Sequence, residues 1–167
     1  MDKVRVVGVV AVDSRWGIGN DEKLLSFPRE DMLHFQETVK DGLLICSSNV
    51  FTQMKKSLGT FYVYSRRPVY WVTAKAACSN ARYLLNRAKQ DAKLTGKTVY
   101  LCGGKRLYSL LSNDVDEWII TQDTRDLNAN VHFEGAQFLL EAQGKDWERE
   151  VIKELTPTCK VHKVKIR

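Results

Sequence analysis

Long hydrophobic runs are missing from this chain. The N-terminal apolar run, Val4 to Val12, is interrupted by Arg5, is too short to span a bilayer and carries no small-residue cleavage pattern. A buried strand is expected there, with no membrane partner. Proline is scarce, its three residues fall near expected boundaries, and no repeat, low-complexity block or Pro/Ser-rich linker divides the sequence. One domain over residues 1–167 is therefore expected. Cysteine is dispersed. Cys46, Cys78, Cys102 and Cys159 form no CxxC and have no paired His, so neither a metal site nor a thioredoxin motif is indicated. A reducing cytoplasm is the simplest setting for such thiols.

Large blocks of like charge are also lacking. The net charge of +6 suits anionic ligands but selects none by itself. Lys160, Lys163, Lys165 and Arg167 gather near the C-terminus without a nucleic-acid motif and read as a solvated edge strand. The expected partner is a small molecule rather than a nucleic acid, and the expected state is a monomer.

What is present is an alternation of strand and helix patterns. Val4–Val12 reads as a central strand. Asp13–Ser26, with Gly17, Gly19, Asn20 and Asp21, reads as a long flexible loop of the kind that closes over ligands. Met32, Phe35 and Val39 recur at helical spacing behind Pro28, and Asp41-Gly42 ends that helix. Leu43–Cys46, Val69–Thr73, Val99–Cys102 and Glu117–Gln122 read as strands. Asn80–Ala92 and Lys105–Leu111 read as helices, and Ser47, Ser48 and Asn49 can cap another that ends near Lys56. Trp147–Leu155 and Thr158–Ile166 flank a Pro157 turn. The sum is an α/β fold with a mostly parallel central sheet and a C-terminal antiparallel hairpin.

The most informative junction is Thr98 to Tyr108, where an apolar strand stops on Gly103-Gly104 and restarts as an amphipathic helix. Two residues without Cβ let a ligand lie against the backbone, and helix starts favour anions. A tight turn alone accounts equally well for this pair, which completes neither GxGxxG nor a Walker motif. Asp31 is likewise open to two readings: a helix-start charge complementing the dipole, or a carboxylate sharing the face of Phe35 and pointing into an apolar pocket.

Several blocks in order resemble the dihydrofolate reductase family. Val9-Val10-Ala11-Val12-Asp13 with Gly17-Ile18-Gly19 is similar to its first strand and mobile loop, and Phe27 to Phe35 to its substrate helix. Arg67 to Thr73 is similar to its arginine-led strand, Cys102-Gly103-Gly104 to its glycine pair, Ile119-Ile120-Thr121 to its threonine strand, and Asp146-Trp147-Glu148 to the start of its last hairpin. The resemblance implies the family's three-layer fold, NADPH as cofactor and reduction of dihydrofolate. It makes Asp31 the catalytic acid in preference to Glu30, with Thr121 hydrogen-bonded to it or to its bridging water. It also implies Val9, Met32, Phe35 and Cys102 around the substrate, with Arg67, in preference to Arg66, on the glutamyl carboxylate.

For NADPH the resemblance implies Gly103, Gly104 and Lys105 at the pyrophosphate, and Arg106 and Lys75 near the 2′-phosphate. Ser48, Asn49 and Val50 start a helix facing the phosphates. Val10, Thr73, Cys102 and Tyr108 complete the cofactor contacts, and Trp16, Gly17 and Ile18 meet the nicotinamide. Trp16 serves equally as a packing anchor. The chain departs from the family at Leu24-Leu25-Ser26, where Leu-Pro-Trp is usual, and at Ser47-Ser48, where Gly-Arg or Gly-Lys is usual. Val50 stands in place of a phosphate-binding threonine, and Gln53–Ser65 is longer than usual, which marks an atypical, divergent member. Two alternatives use the same features: a riboflavin-precursor reductase of related fold, and a binding or structural protein that has lost catalysis.

Overall fold

The structure, a computed structural model, describes residues 3–20, 23–47, 50, 69–72, 77–133 and 147–166. The expectations for Ser48, Asn49, Gln53–Ser65, Arg66, Arg67, Thr73 and Lys75 lie outside the described residues.

Strand β1 (Val6–Val12) runs through the middle of a seven-stranded sheet. It pairs in parallel with β6 (Val99–Leu101) on one side and β7 (Glu117–Asp123) on the other. Beyond β6 lie β4 (Leu43–Ser47) and β5 (Val69–Val72), also parallel. Beyond β7 the sense reverses: β10 (Cys159–Ile166) pairs antiparallel with β7, and β9 (Trp147–Thr156) closes the edge as its hairpin partner. Near-continuous apolar strands such as β1 and β4 are what a sheet covered on both faces requires.

Side-chain alternation sorts the strands onto two cores. Val6, Val10, Val12, Leu43, Ile45, Val99, Leu101, Trp118 and Ile120 face helices α2 (Ala77–Thr95) and α3 (Lys105–Leu111). Val7, Val9, Leu44, Cys46 and Cys102 face helix α1 (Arg29–Val39), through its Met32, Phe35 and Val39. The architecture is therefore helix, sheet, helix, with the antiparallel hairpin expected from the sequence. Among the described residues no helix is long and apolar enough to cross a membrane.

The segment read as a flexible loop after β1 carries strands. It contains β2 (Gly17–Asn20) and β3 (Lys23–Leu24), which join β8 (Val131–His132) in a small antiparallel sheet. The physical reason lies far along the chain. Backbone bonds from Asn130 to Gly19 and from Phe133 to Trp16, at 3.0 and 2.7 Å, supply partners that the glycine-rich segment does not advertise by alternation.

Gly8 shows how tightly β1 is packed. A Cβ there would lie 2.3 Å from the ring of Trp118, its register neighbour on β7. Trp118 in turn packs with Tyr108 and Phe133 at ring-centroid distances of 5.8 and 5.1 Å. Gly8→Ala is expected to lower stability by about 1–3 kcal/mol through overpacking, read from urea denaturation. An unchanged midpoint would contradict this packing.

Candidate active site

The site gathers at the carboxyl ends of the parallel strands, where open α/β sheets place ligands. Asp31 enters from the first turn of α1 and Thr121 from β7. Burial raises the Asp31 carboxyl from 3.8 to about 6, while a hydrogen bond with the Thr121 side chain pulls the other way. The helix dipole would favour the ionised acid by about 0.3–1 kcal/mol. A rise to about 6 is worth roughly 3 kcal/mol in the opposite sense, so desolvation dominates. Glu30 is exposed. Burial therefore separates the two neighbouring acids and singles out Asp31.

Val9, Cys102, Met32 and Phe35 meet in the core beneath α1, together with Val50 and Ile119. The described residues expected around the substrate are thus brought together, in one core cluster. Val10 lies on the other face, 4% exposed in the core beneath α2 and α3, because consecutive strand residues alternate. Its side chain therefore cannot face α1 as that of Val9 does. Tyr108 also belongs to the α2/α3 core, yet its hydroxyl donates to the Val9 carbonyl at 2.6 Å. Burial holds that phenol protonated well above its ordinary range, with charge on Cys102, Cys46 and Asp31 adding to the effect.

The glycine pair follows β6. Gly103 has φ 108°, where a side chain is strained, and a Cβ on it would stand 3.0 Å from the Tyr108 hydroxyl. The Gly103–Gly104 peptide is cis. Among the described residues a Cβ on Gly104 would meet only Val50 and Ser47, at 3.6 and 3.8 Å, so with respect to them it would fill a gap against the backbone. Lys105 and Arg106 are exposed in the first turn of α3. A bare backbone surface flanked by two cations suits a nucleotide's pyrophosphate.

Trp16, Gly17 and Ile18 lie where β1 gives way to β2. Trp16 and Ile18 are partly buried against the larger core, and Trp16 adopts φ 63°. Asp13 fixes this turn, a role the sequence reading did not assign. Its fully buried carboxylate accepts the Gly17, Arg15 and Leu127 N–H groups at 2.7, 2.9 and 3.1 Å. The nicotinamide loop expected from the sequence is thereby fastened to the segment after β7. A lone Asp before a glycine-rich loop was the available signal, but its third donor is remote in sequence.

The solved structure of dihydrofolate reductase from Enterococcus faecalis complexed with NADP(H) and RAB-propyl has the same fold. The match has TM-score 0.64 and 15% identity, and covers 99% of this chain and 97% of that one. A search of curated proteins returns no match. The fold is that of an α/β protein whose bare glycine backbone after β6 suits an anionic nucleotide. The sequence profile described as Dihydrofolate reductase matches residues 5–157, and the chain belongs to the dihydrofolate reductase family. As a member of that family it is an NADPH-dependent oxidoreductase.

Proposed function

We propose that this chain reduces 7,8-dihydrofolate to 5,6,7,8-tetrahydrofolate, acting in the cytoplasm as a monomer and feeding one-carbon and nucleotide synthesis. The observation that carries this reading is the Asp31 carboxyl, raised to about 6 in an apolar setting and paired with Thr121. When bound, NADPH supplies the hydride delivered to pterin C6.

Asp31 meets the pterin's amidine edge with its two carboxyl oxygens, a planar contact that orients the ring, and holds the proton that the reaction consumes. Its raised proton affinity favours protonation at N5, with water as the direct donor. Thr121 holds the carboxyl in place. Val9, Met32, Phe35 and Cys102 exclude water around the ring, and Arg67 holds the glutamyl α-carboxylate. Gly103, Gly104, Lys105 and Arg106, with Ser48, Asn49, Val50, Thr73 and Lys75, bind the cofactor's phosphates and ribose. Trp16, Gly17 and Ile18 meet the nicotinamide at the turn that Asp13 holds.

The test is NADPH oxidation by the purified protein, followed at varied dihydrofolate and, separately, with a phosphoribosylamino-pyrimidine of riboflavin synthesis. Saturable oxidation that requires dihydrofolate is expected. Turnover of the pyrimidine alone would transfer the chain to the riboflavin pathway, and binding without turnover of either would mark a catalytically lapsed fold.

A further inference from the structure

Val50 cannot give a hydroxyl to a phosphate, which the sequence alone reads as a lost cofactor contact. The surroundings of Ser47 change that conclusion. We propose that the Ser47 hydroxyl is a donor to the cofactor's pyrophosphate, replacing the hydroxyl that Val50 lacks. The inference rests on NADPH binding at Gly103-Gly104.

Ser47 is the last residue of β4, and its N–H donates to the Gly103 carbonyl at 2.8 Å, which fastens the strand end to the glycine turn. Its Oγ lies 3.8 Å from the position a Cβ on Gly104 would take, and Val50 Cγ2 lies 3.6 Å from the same position. The hydroxyl and the isopropyl group thus flank one gap, the one left open for a ligand to approach the backbone. Oγ accepts the Val50 N–H at 3.3 Å, while among the described residues its own proton has no acceptor. A hydroxyl that already accepts a bond is polarised into a better donor. A phosphate oxygen seated against Gly104 would receive that proton, whereas Val50 offers only van der Waals contact. Serine here therefore differs from glycine in function as well as in size.

Dissociation constants for NADPH, read from quenching of intrinsic tryptophan fluorescence, test the proposal in the wild type, Ser47→Ala, Ser47→Thr and the double variant Ser47→Ala with Val50→Thr. Ser47→Ala is expected to weaken binding about tenfold, the worth of one hydrogen bond to a charged group. Ser47→Thr keeps the hydroxyl and is expected to keep the affinity, and Val50→Thr is expected to restore most of what Ser47→Ala loses. Thermal midpoints without cofactor are measured alongside. Unchanged affinity in Ser47→Ala with a lowered midpoint would make Ser47 a cap on Val50 alone and overturn the proposal. Equal losses in Ser47→Ala and Ser47→Thr would overturn it as well. Failure of the wild type to bind NADPH would overturn the assignment of the cofactor site itself, a different outcome from wild-type binding that ignores Ser47.

Discussion

Asp31→Asn is expected to lower dihydrofolate turnover by about 10²–10⁴-fold, the usual worth of a positioned general acid–base group. The amide keeps the size of the carboxyl but does not titrate, and it presents one acceptor oxygen where the carboxyl presents two. The same substitution is expected to stabilise the ligand-free protein at high pH. Because burial raises the folded-state value from 3.8 to about 6, the acid's favourable contribution is complete below about pH 4 and is lost as pH climbs through 6. Above that, the ionised carboxylate costs roughly 3 kcal/mol, an upper bound on what the variant gains at pH 8. Urea midpoints at pH 4 and pH 8 check this: the two proteins should converge at the lower pH and separate at the higher. A variant that is inactive and also less stable at pH 8 would mean that Asp31 serves the fold more than the chemistry.

Gly103→Ala carries the second large effect. At φ 108° a side chain is strained by about 1–3 kcal/mol, and the new methyl would press on the Tyr108 hydroxyl at 3.0 Å. That hydroxyl is committed to the Val9 carbonyl at 2.6 Å, so the turn must shift rather than the tyrosine. Both stability and NADPH affinity are expected to fall, the latter about 10–100-fold as the backbone surface moves. Gly104→Ala is the internal control. Among the described residues its Cβ would meet neighbours only at ordinary contact distances of 3.6 and 3.8 Å, so the fold should hold while the gap for phosphate narrows. Denaturation midpoints and titrations with NADPH separate the two cases, and equal behaviour of the two variants would contradict this geometry.

Local patterns made most of the fold legible. The apolar runs of β1 and β4, the Met32, Phe35 and Val39 spacing of α1, and the Pro157 turn of the hairpin each state their structure within a few residues. Strand alternation also sends Val9, expected at the substrate, and Val10, expected at the cofactor, to opposite faces of the sheet. What the sequence concealed depends on distant partners. The strands β2 and β3 form because β8 and the Asn130 amide reach them, and Asp13 becomes a hub only when the Leu127 N–H arrives from across the molecule. Asp31 could not be told from a surface helix-start charge without knowing what covers it. Ser47 looked like a lost glycine until its hydroxyl was seen beside Gly104.

The most direct test of Asp31 as the titrating acid of a dihydrofolate reductase is the pH dependence of kcat/KM for dihydrofolate at saturating NADPH, which reports ionisations of the form that meets the substrate. The expected profile falls as pH rises through about 6, where Asp31 loses its proton. A profile level from pH 5 to 8, or oxidation of NADPH indifferent to dihydrofolate, would contradict it.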